Sequence, residues 1–183
     1  LPGIYTFRPA DGNETSGAYW QILNIKAPHV LILSRQNLPQ LAGSSIDAVS
    51  RGAYVISEAP KGGKPDAIIV ATGSEVSISI ESQNIRVVSF PAWELFWEQP
   101  LEYQKSVFLD GVPVISVEVL STLGWEKVAH ASIGIDHFGA SAPAPVLYKE
   151  FGFEPEVIAD KVSKVVDYYK SSPVEIKIRK SLW

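Results

Sequence analysis

Short apolar runs alternate with amphipathic or turn-rich stretches along most of this chain, the pattern of an α/β fold with a parallel sheet. Residues 4–9 (IYTFRP) predict a strand. ADGNETSGAYWQILN follows as a helix capped by Asp11 or Asn13, with Ala18, Ile22 and Ile25 at helical spacing and Trp20 and Leu23 widening the apolar stripe. Residues 30–40 (VLILSRQNLPQ) run four apolar side chains into Ser34 and Arg35 and stop at Asn37-Leu38-Pro39. That reads as a buried parallel strand delivering Arg35 to its carboxyl end. The three elements make a βαβ unit, too small to be stable alone.

Residues 36–65 have the character of a domain junction: Gly43-Ser44-Ser45, Gly52, Pro60, Gly62-Gly63 and Pro65 surround one strand-like run at 53–57. The boundary falls near Ser44. Strands are then expected at 67–72 (AIIVAT), 85–90 (IRVVSF) and 112–119 (VPVISVEV), with helical pieces from Glu75, over 91–108 broken by Pro100, and over 124–130. Residues 156–170 give the clearest amphipathic helix, Val157, Ile158, Lys161, Val162, Val165 and Tyr169 falling largely on one face, so it covers the sheet. The expected architecture is α/β: a mostly parallel sheet with helices on both faces over residues 44–183, preceded by the βαβ unit over 1–43.

Composition narrows the function classes. At 183 residues, with a net charge of −4 and no basic stripe, the chain is not built to bind nucleic acid. No apolar stretch is long enough to span a bilayer, and the opening LPGIYTFRPADG lacks a signal-peptide pattern, so a soluble, cytoplasmic protein is expected. Cysteine is absent, which excludes disulfides and thiolate-bound metals. Methionine is absent too, and this predicts a piece of a longer chain.

The carboxyl edge of an open α/β sheet is where ligands sit, and an arginine there can hold a phosphate or carboxylate through two parallel hydrogen bonds. Arg35 is therefore the candidate ligand-binding residue, the alternative being an ion pair with a local carboxylate. Thr72-Gly73-Ser74-Glu75 between strand and helix offers N–H groups to an anion, but its single glycine lacks the dinucleotide spacing and Ser74 serves equally as an N-cap. His29, His130 and His137 show no zinc spacing, and the adjacent Asp136 and His137 point apart rather than acting as an acid/base pair. No metal or catalytic cluster is predicted. Trp93 and Trp97 among Leu95 and Phe96 read as core or interface mass.

Four segments, RPADGNE at 8–14, LSRQNLPQL at 33–41, VATGSEVSIS at 70–79 and IDHFGAS at 135–141, resemble transketolase in order and rough spacing. The resemblance covers nearly the whole chain. It implies the tail of a pyrimidine-binding domain over 1–43 and the C-terminal domain over 44–183. It further implies an enzyme of the pentose phosphate pathway, a homodimer that moves a two-carbon ketol unit between sugar phosphates with thiamine diphosphate and a divalent ion (Mg or Ca). Within that resemblance Arg35 binds the substrate phosphate. The ligands of cofactor and metal and the catalytic histidines belong to segments upstream of Leu1, so this chain alone is expected neither to bind the cofactor nor to turn over. Compared with the family pattern, residues 81–84 are short for the helix usually found there, and His137 stands where many relatives carry arginine. Two other readings stay open: a free-standing interaction domain using residues 93–97, and a dihydroxyacetone synthase, which the ending Lys180-Ser181-Leu182-Trp183 disfavours because it is not a peroxisomal address.

Overall fold

The computed structural model describes residues 3–80 and 85–178, which form two sheets. In the first, β1 (Tyr5–Phe7) and β2 (His29–Leu31) pair in parallel across α1 (Gly12–Asn24). Asp11 caps α1 by accepting from the Glu14 amide at 3.0 Å. The second sheet holds β3 (Tyr54–Ser57), β4 (Ala67–Ala71), β5 (Ile85–Ser89), β6 (Val114–Val117) and β7 (Ala131–Ile133), in the order β3-β5-β4-β6-β7. Only β3 runs antiparallel, at one edge. The mostly parallel sheet anticipated from the alternation is present, and its central strand β4 is buried at every residue, as its unbroken apolar run requires.

Helices cover both faces. Successive residues of a strand point to opposite sides. Ala67, Ile69 and Ala71 of β4 therefore meet Val76 of α2 (Glu75–Ser79), Phe153, and Ile158 and Val162 of α6 (Pro155–Lys170). On the opposite face, Ile68 and Val70 pack with Phe90, Phe96 of α3 (Trp93–Trp97), Val107 of α4 (Leu101–Val107) and Phe108. A third cluster of Phe7, Ala18, Val49, Ala92 and Leu95 seals α1 and β1 to the larger sheet. Close approach there depends on Gly17, because a Cβ at that position would lie 2.4 Å from the Ile46 carbonyl oxygen.

Several local expectations need correction. β2 stops at Leu31 instead of running to Arg35, and Val30, Ile32 and Leu33 are 43%, 43% and 54% exposed rather than buried. Its ladder ends because its partner does: beyond Phe7 the Arg8 amide donates to Pro91 O, and Pro9 has no N–H to offer. Trp20 and Leu23 also face outward, so the buried stripe of α1 is narrower than its apolar pattern. β7, the helix α5 (Ala144–Glu150) and a 3₁₀ turn at Asp47–Arg51 carry too few residues to show a period, and the helix expected over 124–130 is a 3₁₀ turn at Trp125–Lys127. The short segment 81–84 and the chain end 180–183 lie outside the described residues.

Candidate functional site

The chain of the larger sheet turns back between β4 and β6, and the crevice at their carboxyl ends is the expected ligand position in such a sheet. Arg8, arriving from β1, occupies that crevice. Its guanidinium lies 2.6 Å from Glu118 Oε1, just past β6, and 3.6 Å from Glu75 Oε2, at the start of α2. Both carboxylates are almost wholly buried. The Arg8 carbonyl accepts from Thr72 Oγ1 at 3.0 Å and from the Gly73 amide at 3.2 Å. Burial and the neighbouring Glu118 push Glu75 up to about 7 against the opposing pull of Arg8, and burial raises Glu118 as well.

A third buried carboxylate, Glu14, ties the units together. Glu14 accepts from Tyr54 Oη at 2.7 Å, Ser89 Oγ at 2.5 Å and the Ala10 amide at 2.7 Å, so the first turn of α1 is bonded to β3 and β5. Burial pushes its carboxyl up. Asp11 adds contacts from Leu41 N and Gln40 Nε2 to its Oδ2.

Arg35 follows β2 in an irregular stretch. It is exposed, and among the described residues it makes no hydrogen bond or ion pair, so the alternative of a local carboxylate partner does not hold. Its neighbours Ser34 and Gln36 line a cavity of about 330 Å3, shared with Ser74, Leu147, Tyr148 and Phe151. Arg8 separates this cavity from one of about 470 Å3 under Phe90, Trp93 and Trp125. Trp93 stacks on Phe90 with centroids 4.5 Å apart, so the tryptophan segment is largely packed mass, with the exposed Trp97 at its edge.

Ser74 makes no side-chain cap; its hydroxyl donates to Glu75 Oε1 at 3.0 Å. The Thr72–Glu75 turn thus faces the protein's own Glu75 and Arg8. Asp136 accepts from Ser121 Oγ and from the amide and hydroxyl of Thr122, while His137 meets Phe138 O and the Phe151 ring. The pair is structural. His130 accepts from the Val114 amide through Nδ1, which leaves its proton on Nε2 to donate to Glu175 O. Among the described residues, no group of three or more His, Cys, Asp or Glu side chains could hold a metal ion.

Sequence reasoning passed over Arg8, Glu75 and Glu118 as interacting groups. One signal was available: Glu118 interrupts the apolar run VPVISVEVL, and a charge inside a buried strand run needs a partner. Which partner was not readable, since Arg8 lies 110 residues away.

Residues 52–154 match the family model described as the transketolase-like C-terminal domain. Transketolase 1 of Saccharomyces cerevisiae is 50% identical over 190 residues, taking in 99% of this chain and 28% of that protein. The chloroplastic transketolase of Solanum tuberosum is 47% identical over 178 residues, 90% of this chain and 24% of its own length. A crystal structure of transketolase from Pichia stipitis in complex with sedoheptulose-7-phosphate superposes with a TM-score of 0.93 at 45% identity, covering 99% of this chain and 28% of that one. The chain spans about a quarter of the length of these relatives.

Proposed function

The chain belongs to the transketolase family, and from that premise we propose that it is the C-terminal portion of a thiamine-diphosphate-dependent enzyme that transfers a two-carbon ketol unit between sugar phosphates. Residues 1–43 then form the tail of the pyrimidine-binding domain and residues 44–183 the C-terminal domain. The cofactor supplies the carbanion chemistry, and it and its divalent ion are held by parts of the enzyme outside these residues. What this chain contributes is a phosphate ligand and a scaffold that holds it. The form that fits this reading is a homodimer in the cytoplasm; no helix among the described residues is long and apolar enough to cross a membrane.

The observation that carries the reading is Arg35: an exposed guanidinium on the carboxyl side of a parallel strand, with no partner of its own among the described residues and a cavity beside it. An unpaired arginine with five N–H donors suits a phosphate, which it can grip through two hydrogen bonds at once. Lysine keeps the charge and loses the fork. In the full-length enzyme Arg35→Lys is expected to raise KM for a phosphorylated ketose by about 10-fold or more, the loss of one charge-assisted hydrogen bond, with cofactor binding unchanged. An unaltered KM removes the assignment.

A further inference from the structure

Residues 33–39 belong to no helix or strand, and Arg35 stands among them. Among the described residues, one hydrogen bond ties this stretch to anything outside it: Gln36 Nε2 donates to Tyr148 Oη at 3.0 Å. The Ser34 Oγ to Gln36 O contact, at 3.2 Å, stays within the loop. Tyr148, on α5, donates in turn to Ser74 Oγ at 2.9 Å, and Ser74 donates to Glu75 Oε1 at 3.0 Å. The three donors point the same way, so each hydroxyl is polarised by the next. Glu75 ends the series. It sits at the start of α2, directly beyond the fully buried β4, and is paired with Arg8, so the loop is referred to the most rigid part of the sheet.

We propose that Tyr148 is a positioning residue: through Gln36 it holds the 33–39 loop so that the Arg35 guanidinium is already placed when a phosphorylated substrate arrives. The inference rests on the reading of Arg35 given above. The role argued for Tyr148 is indirect, through Gln36 to Arg35. Its effect is on the freedom of the loop, which an untethered Arg35 would have to surrender on binding phosphate.

Tyr148→Phe in the full-length enzyme removes the hydroxyl and keeps the ring beside Phe153, with centroids 6.5 Å apart. With sedoheptulose-7-phosphate as the probe, KM is expected to rise about three- to tenfold, the cost of re-ordering one loop, while kcat changes less than about twofold. KM for the same ketose without its phosphate should not move. Gln36→Met breaks the same bond from the loop side without touching α5 and should reproduce the pattern, which keeps the idea testable should Tyr148→Phe fail to fold. In an Arg35→Lys background Tyr148→Phe should add almost nothing; a fully additive effect overturns the inference, as does an equal change for both forms of the ketose. If Arg35→Lys raises KM and neither Tyr148→Phe nor Gln36→Met does, the tether is refuted and Arg35 stands. If Arg35→Lys changes nothing, the reading of Arg35 fails first and takes this inference with it.

Discussion

Arg8→Met is the sharpest test of how the two units are joined. The substitution keeps most of the side-chain length and deletes the one positive charge that, among the described residues, pairs with two buried carboxylates in the crevice, Glu118 at 2.6 Å and Glu75 at 3.6 Å. At an effective dielectric of about 20 those separations correspond to gross attractions of roughly 6 and 5 kcal/mol. The net loss is smaller, because the carboxylates can take up protons. From their reference value of 4.5, protonating one such group near pH 7.5 costs about 4 kcal/mol, and near pH 5 under about 1 kcal/mol. Glu75, already raised to about 7, adds little to the first figure, and Glu118, raised by burial as well, makes that figure an upper limit. Arg8→Met should therefore lower stability by up to about 4 kcal/mol near pH 7.5, as breaking a buried pair by removing one partner does. Near pH 5 the loss from charge should shrink to under about 1 kcal/mol. Urea unfolding followed by fluorescence of the five tryptophans measures both values. Adding Glu118→Gln to Arg8→Met should restore part of the loss at the higher pH. A loss of equal size at both pH values would show that packing, not charge, holds the crevice.

Two further outcomes follow from the same geometry. Glu75 has a folded pKa raised from 4.5 to about 7, so the folded state holds its proton to higher pH than the unfolded chain; the stability this gives is complete below about pH 4.5 and is lost as pH rises through about 7. Glu75→Gln cannot ionise, so urea melts should show its stability relative to wild type improving by about 3 kcal/mol between pH 4 and pH 8, and a flat difference contradicts the shift. Gly17→Ala, in the interior of α1, would ordinarily stabilise a helix by up to about 1 kcal/mol, yet here the new Cβ meets Ile46 O at 2.4 Å and Val49 Cγ2 at 2.7 Å. The sign should reverse to a loss of about 1–3 kcal/mol in thermal or urea unfolding, and a stabilised variant would mean the seam can open.

The α/β class, the central strands, the αβ alternation and the long helix α6 were legible in the residues because their cause is local. An unbroken run such as AIIVA can be satisfied only by burial on both faces, and the spacing of Ile158 and Val162 commits one helix face to the sheet. Arg35 was singled out on the expectation that the apolar run 30–33 is a buried strand ending at it, whereas β2 stops at Leu31 and Arg35 follows in an irregular stretch. Its lack of a partner was not legible, because that depends on which carboxylates the fold brings near. Glu14, Glu75 and Arg8 each look like ordinary surface charges in their own segments, and Glu118, though it breaks an apolar run, gives no clue to its partner. Only the tertiary structure removes them from water, and once water is gone each needs a partner, which comes from a residue 75 positions away for Glu14 and 110 for Arg8. Local pattern marked the buried strands of the larger sheet and the sheet-facing side of α6, though not the exposure of Trp20, Leu23, Val30, Ile32 and Leu33; the packing of the βαβ unit onto the larger sheet decided which polar groups must answer one another, because desolvation is a property of the assembled interior and of no single stretch.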